Sequence, residues 1–215
     1  MRIVAIADTH LFTEGFAVPD GDVLVHAGDL CRRGNFNELA AAAAWLNALP
    51  HRHKIVVAGN HDWAFLDEPA GARALFACYL EDAGTAIDGV RFWGSPWQPA
   101  FHDWAFNLPR GEPLAAKWRL IPAGLDVLVT HSPPAGLGDD TDIAGRTGCA
   151  DLRARVAEVA PRLHLFGHIH QDGGLWREGP TTFANVTTWE CERAATVIDL
   201  DAHAVTPVDV PPRSR

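Results

Sequence analysis

Short apolar runs punctuate the chain, and stretches of different character separate them. Ile3 to Ala7, Val23 to Val25, Ile55 to Ala58, Val127 to Val129 and Leu163 to Phe166 each read as a short buried strand. Between them, the alanine-rich Asn37 to Leu49, then Ala72 to Leu80 and Asp151 to Ala160, predict helices, the last stopped by Pro161. Strands alternating with helices point to an α/β layered architecture. Past Phe166 the alternation lapses, and Pro180 to Val186 and Ala194 to Leu200 read as strands with no long helix between them. Sheets packed face to face with helices outside fit that change better than a single doubly wound sheet. Phe92 to Pro109 is rich in tryptophan, phenylalanine and proline and predicts a structured loop packed on the body. With neither repeat nor linker, one domain over residues 1–209 is expected, followed by a frayed tail at 210–215.

Composition narrows the class. The 215 residues suffice for one sizeable core, and 47% hydrophobic with 21% charged residues is ordinary for a soluble domain. No apolar run approaches the roughly 18 residues of a membrane span, and Met1 to Asp8 lacks a signal peptide's features, so cytoplasmic residence is the default expectation. Cys31, Cys78, Cys149 and Cys191 are scattered, which argues against thiolate metal sites and a disulfide framework. A net charge of -9 without a basic block argues against binding long nucleic acid. A phosphate-handling site would therefore need local positive charge, most economically from bound metal ions.

The predicted strands end in the right residues for that. The first runs into Asp8-Thr9-His10, the second into Gly28-Asp29 and the third into Gly59-Asn60-His61-Asp62. The fourth ends at Thr130-His131-Ser132 and the fifth at Gly167-His168-Ile169-His170. Ligands of open α/β sheets collect at such C-terminal strand ends. Each motif alone is weak, since a single histidine is commonly structural and Asn-His-Asp commonly caps a helix. Five together are specific. Carboxylate, imidazole and amide oxygen suit divalent Mn, Fe, Zn or Co, with Mn favoured. One carboxylate, Asp29, can bridge two ions about 3.5–4 Å apart.

These motifs resemble the calcineurin-like metallophosphoesterase superfamily. That resemblance implies a four-layer α/β/β/α sandwich of two mixed β-sheets flanked by helices, with two metals at one sheet edge. His26-Ala27-Gly28-Asp29, Gly94-Ser95-Pro96-Trp97, Trp104 to Gly111 and Thr130 to Pro134 extend the likeness to the mammalian metallophosphoesterase-domain group of class III phosphodiesterases. The likeness implies one metal on Asp8, His10, Asp29 and His170, and the other on Asp29, Asn60, His131 and His168. It also implies that a metal-bridging hydroxide attacks phosphorus while His61 protonates the leaving oxygen or stabilises charge on the phosphoryl group. Asp62 would orient His61 or its loop. A vertebrate member has glycine at the position of His168; with both histidines present, two-metal occupancy is expected here.

The expected substrate is a small phosphodiester, with cyclic nucleotides among the candidates. Asn60 and His61 would contact it, and Trp97 and Asn107 would wall a nucleobase. Arg33 could clamp a phosphate, or Arg32 and Arg33 could be a solvated turn. His102, in the aromatic segment, is a further group within reach of substrate, whereas His26 and His164 read as core or backing residues. The alternatives are a phosphomonoesterase acting on nucleotides or phosphoproteins, and a catalytically quiet metal-bound scaffold. Oligomeric state stays open.

Overall fold

The computed structural model describes residues 1–212. In chain order its elements are β1 (Arg2–Ile6), β2 (Val23–Ala27), α1 (Phe36–Ala48), β3 (His53–Val57), α2 (Ala64–Asp67), α3 (Pro69–Ala74), β4 (Ala83–Ile87) and β5 (Val90–Ser95). There follow β6 (Gln98–Pro99), β7 (Asn107–Leu108), α4 (Glu112–Trp118), β8 (Val127–Thr130), β9 (Asp140–Thr141), β10 (Gly145–Arg146), α5 (Ala150–Val159) and β11 (Leu163–Phe166). The chain closes with β12 (Gly174–Glu178), β13 (Thr181–Asn185), β14 (Thr196–Leu200) and β15 (Val205–Asp209).

Two mixed sheets form the centre. The first has the order β15-β14-β1-β2-β3, the second β12-β13-β11-β8-β5-β4. Each has parallel inner strands and antiparallel pairs at its margin, β1 with β14 in the first and β5 with β4 in the second. Side-chain alternation divides the core into three. Ile3, Ala5, Val25, Ile55, Val127, Leu163 and Ile198 meet between the sheets. Val4, Ile6 and Leu24 face the other way, onto Leu39, Ala42, Ala43 and Leu46 of α1. Leu128 and Phe166 likewise meet Leu114 and Trp118 of α4 and Leu152 and Val156 of α5. This is an α/β/β/α sandwich. Because β1, β2 and β3 run parallel, as do β8 and β11, their C-terminal ends can deliver loops to a common edge.

Three expectations need correction. The helix expected over Ala72 to Leu80 stops at Ala74. Beyond it the backbone pairs with β3, Val56 N donating to Cys78 O (3.0 Å) and Leu80 N to Val56 O (2.9 Å), while Tyr79 stacks on Phe65. The aromatic segment is not loop throughout. Its start belongs to β5, between β8 and β4, with Phe92 in the inter-sheet core and Trp93 toward the helices. The tail is tied down where it begins, since Pro211 is buried and Arg193 donates to the carbonyls of Pro211 and Pro212. Residues 213–215 lie outside the described part.

Candidate metal centre

The loops after β1, β2, β3, β8 and β11 carry the seven expected ligands, and the fold brings them together. Asp8, His10 and His170 form one group of donor atoms, all within 4.8 Å of one another. Asp29, His131 and His168 form a second, and His10, Asp29 and His61 a third that overlaps both sides. Asn60 joins the second group, its Oδ1 lying 2.9 Å from His131 Nε2. Asp29 reaches both sides, 3.8 Å from His10 Nε2 and 3.4 Å from His131 Nε2.

Holding these loops costs conformational energy. Asp8, His10, Asp29 and His168 have φ of 57°, 44°, 59° and 70°, the left-handed region, at a cost of order 1–3 kcal/mol each. Close approach removes side chains elsewhere. A Cβ on Gly28, itself at φ +102°, would lie 2.4 Å from His131 Nδ1, and one on Gly59 would lie 2.3 Å from Asp29 Oδ1. Asp62 offsets part of the strain. Its buried carboxylate accepts from the main-chain N–H groups of Gly59 (2.8 Å), Asp29 (3.0 Å), Cys31 (3.0 Å) and Leu30 (3.3 Å). Asp62 thus fastens the β2 loop to the β3 loop and holds Asp29, rather than orienting the His61 ring.

The electrostatics call for cations. Asp8 and Asp29 are 0% and 2% exposed, and burying unpaired carboxylates costs several kcal/mol per ion. Burial opposes ionisation of Asp8, but the hydrogen bond and charge of His170 outweigh it and hold the carboxyl at about 2. The His131 ring is more telling. Nδ1 donates to Ala27 O (2.9 Å), so Nε2 faces Asn60 Oδ1 and Asp29 Oδ2. Three acceptors around one imidazole demand a second proton or a metal ion. Burial works against that proton, yet the charge and hydrogen bond of Asp29 raise His131 to about 9. His168 goes the other way, lowered to about 3 by burial and then by the charge of His131. Each buried imidazole with a carbonyl behind Nδ1 has Nε2 aimed inward, as metal-ligating histidines do; His10 uses Cys31 O at 2.8 Å. The donor set fits two borderline divalent ions sharing Asp29.

The sequence profile of the calcineurin-like phosphoesterases matches residues 1–172. The chain belongs to that family. Members of this metallophosphoesterase family generally bind two divalent metals, and this member has the donor groups to do so. It is 41% identical over 213 residues to the human metallophosphoesterase domain-containing protein 1, aligning 86% of this chain with 65% of that protein. It thus spans about two-thirds of that relative's length. Among solved structures, TT1561 of Thermus thermophilus matches with a TM-score of 0.63 and 17% identity, covering 100% of this chain and 99% of that one. The Mycobacterium tuberculosis phosphopantetheinyl hydrolase matches with a TM-score of 0.63 and 15% identity, covering 96% and 95%. These structures share the metallophosphoesterase fold.

Around the metallophosphoesterase centre lie two recesses. One, of about 600 Å³, is bounded by His10, His61 and His170 together with Arg32, Arg33 and Glu190. The other, of about 440 Å³, touches His168; most of the surface it exposes is apolar, although Ser132, Thr141, Asp142 and Gln171 also line it. His61 belongs to the first. Its main-chain N donates to Asp29 Oδ1 (2.8 Å) and its Nδ1 to Arg32 O (2.6 Å), which leaves Nε2 available to a substrate. The ring lies against Trp104, centroids 4.2 Å apart.

Trp97 and Asn107 do not wall the site. Trp97 Nε1 donates to Asp82 (2.8 Å) and its ring lies beneath the Lys117 ammonium at 4.1 Å. The Asn107 amide spends itself on the carbonyls of Phe101 (3.0 Å) and His102 (3.1 Å) and accepts from Gln98 (2.8 Å). Both brace the loop that sequence placed them in, and neither lines a recess. His102 does line the apolar one, and Arg32 and Arg33 face the polar one. Trp104 and Glu190 are among the residues that sequence reading did not assign to the site. A tryptophan in an aromatic segment looks like packing, and Glu190 sits in no motif. It is brought in by a left-handed run, Trp189 to Cys191, whose Glu190 N donates to Asp8 O (2.9 Å). His26 and His164 back the centre from both sheets, bonding Thr9 (3.0 Å) and Thr130 (2.9 Å), the residues beside Asp8 and His131.

Proposed function

We propose that this protein is a metal-dependent phosphodiesterase acting on small phosphodiesters, with cyclic nucleotides as candidates. One observation carries the reading. The ligand cluster has a recess at each end, at His10, His61 and His170 and at His168, and a diester has two substituents to place. Two divalent ions, when bound by Asp8, His10, Asp29, Asn60, His131, His168 and His170, supply charge neutralisation and acidify the attacking water. The chain's own residues do the rest. His61, fixed through Nδ1 by Arg32 O, presents Nε2 to the leaving oxygen and protonates it. Asp62 holds Asp29 in place through the β2 loop.

A second reading, a phosphomonoesterase, draws on Arg32 and Arg33, since two guanidiniums beside the cluster suit a dianion. Manganese-loaded protein assayed on bis(p-nitrophenyl) phosphate and p-nitrophenyl phosphate separates the two. Faster diester turnover is expected. Cleavage of the monoester alone overturns the diesterase reading, and two bound metals with neither ester cleaved favours a quiet scaffold.

A further inference from the structure

Resting on that diesterase reading, we infer that the two recesses are not interchangeable. For an acyclic diester, the apolar recess seats the substituent that phosphorus retains, and this substituent is aromatic. The polar recess takes the departing alcohol.

The argument starts from His61. A general acid must lie beside the oxygen that leaves, so the leaving group occupies the recess that His61 lines. In an in-line displacement the retained substituent lies off that axis. The second recess, reached past His168, remains for it.

Its lining defines the chemistry. Pro99, Ala100, Phe101, Ile143 and Ile169 supply its apolar wall. Phe101 is 52% exposed and Ile143 wholly so, two of six exposed large hydrophobic residues among those described, and they come from separate loops to this one recess. Exposed apolar surface gathered at a site gains free energy when an apolar group covers it, at about 25 cal/mol per Å². Arg110, the recess's only arginine or lysine among the described residues, is not aimed at a phosphate. Its guanidinium donates to Gly148 O (2.8 Å) and Thr147 O (2.6 Å) and so pins the far rim. In the polar recess Glu38 is also committed, accepting from the main-chain N–H groups of Arg32, Arg33 and Gly34, and Asn35 caps α1. The Arg32 and Arg33 guanidiniums and Glu190, however, offer charge and hydrogen bonds to a hydroxylated leaving group. A volume of about 440 Å³ falls within the range of small-molecule pockets and admits a planar ring.

Two diesters with one leaving group test this. Methyl p-nitrophenyl phosphate and phenyl p-nitrophenyl phosphate differ only in what phosphorus retains. With manganese-loaded protein the phenyl ester is expected to show at least a tenfold lower KM. Phe101→Ser and Ile143→Ser should each shrink that phenyl-over-methyl preference at least fivefold, while Leu120→Ser, at an exposed site away from both recesses, preserves it. Equal KM values for the two esters, or a preference untouched in both recess variants, overturn the assignment and leave the diesterase reading intact. Turnover of neither diester overturns both.

Discussion

The two sheets contribute to the metal centre unequally. Every oxygen donor, Asp8, Asp29 and Asn60, comes from the first sheet, with His10 as its one imidazole, while the second gives only His131, His168 and His170. The backbone differs in the same sense. Asp8, His10 and Asp29 are left-handed on the first side, His168 alone on the second. Negative charge is thus concentrated on one side, where it must be clamped by backbone N–H groups before any cation arrives. His61 N does this within the first sheet, 2.8 Å from Asp29 Oδ1, and His168 N does it across the gap, 3.1 Å from both oxygens of Asp8. Concentrated charge needs scaffolding; neutral donors need only aim.

The sharpest way to break this asymmetry is Asp29→Asn, which removes the carboxylate serving both groups. Metal content by elemental analysis should fall from two ions toward none, and turnover by about 10³-fold or more, several kcal/mol of transition-state stabilisation. His61→Ala separates chemistry from metal holding on the same side. It should lower kcat about 10²- to 10⁴-fold with both metals retained. Asp62→Ala asks whether fastening the loops matters as much as the ligands. It leaves four buried N–H groups unpaired, at about 1–3 kcal/mol for each that water does not reach, so a loss of about 4 kcal/mol in chemical denaturation is expected. Metal affinity should weaken about 10- to 100-fold, the usual effect of losing a residue behind the ligands.

The second sheet is tested by pH. His131, raised to about 9, carries a proton at neutral pH in the metal-free protein, and a metal must displace it. Affinity of the site that includes His131 should rise with pH up to about 9 and then level off, with close to one proton released per chain at neutral pH from His131. Calorimetry in buffers of different ionisation enthalpy would read that proton. Binding that does not change between pH 6 and 9 would remove the second sheet's part in the asymmetry.

Much of this is legible in the sequence. Strand ends such as Ala7-Asp8 and Phe166-Gly167-His168 announce themselves, because buried apolar runs are unambiguous and metal donors are rare directly after them. Phe101 and Ile143 were illegible as a pair, since nothing in sequence relates two loops about 40 residues apart that meet only through the fold. Trp97 and Asn107 were misjudged for the opposite reason. Being polar or aromatic beside a motif, they suggested ligand contact, yet Asp82, Lys117 and Gln98 had already claimed them. Of the two roles read for Asp62, orienting the His61 ring or its loop, the bond from Gly59 N fits the loop; its reach to the β2 loop was not legible.

One pairing sets the limits within which the chain can be cut. The last ligand is His170, and the family profile ends at residue 172. Strand β1, which leads into Asp8, nevertheless has β14 along one whole flank, and Thr188 Oγ1 and N both bond Ala7 O (2.7 and 2.9 Å). A fragment ending at 172 would keep every donor and lose the strand beside the first of them. It would bare β1 as a raw edge, open to pairing with other chains. Every donor of the centre lies before residue 171, while the strand that keeps it apart from its neighbours begins only at Thr196.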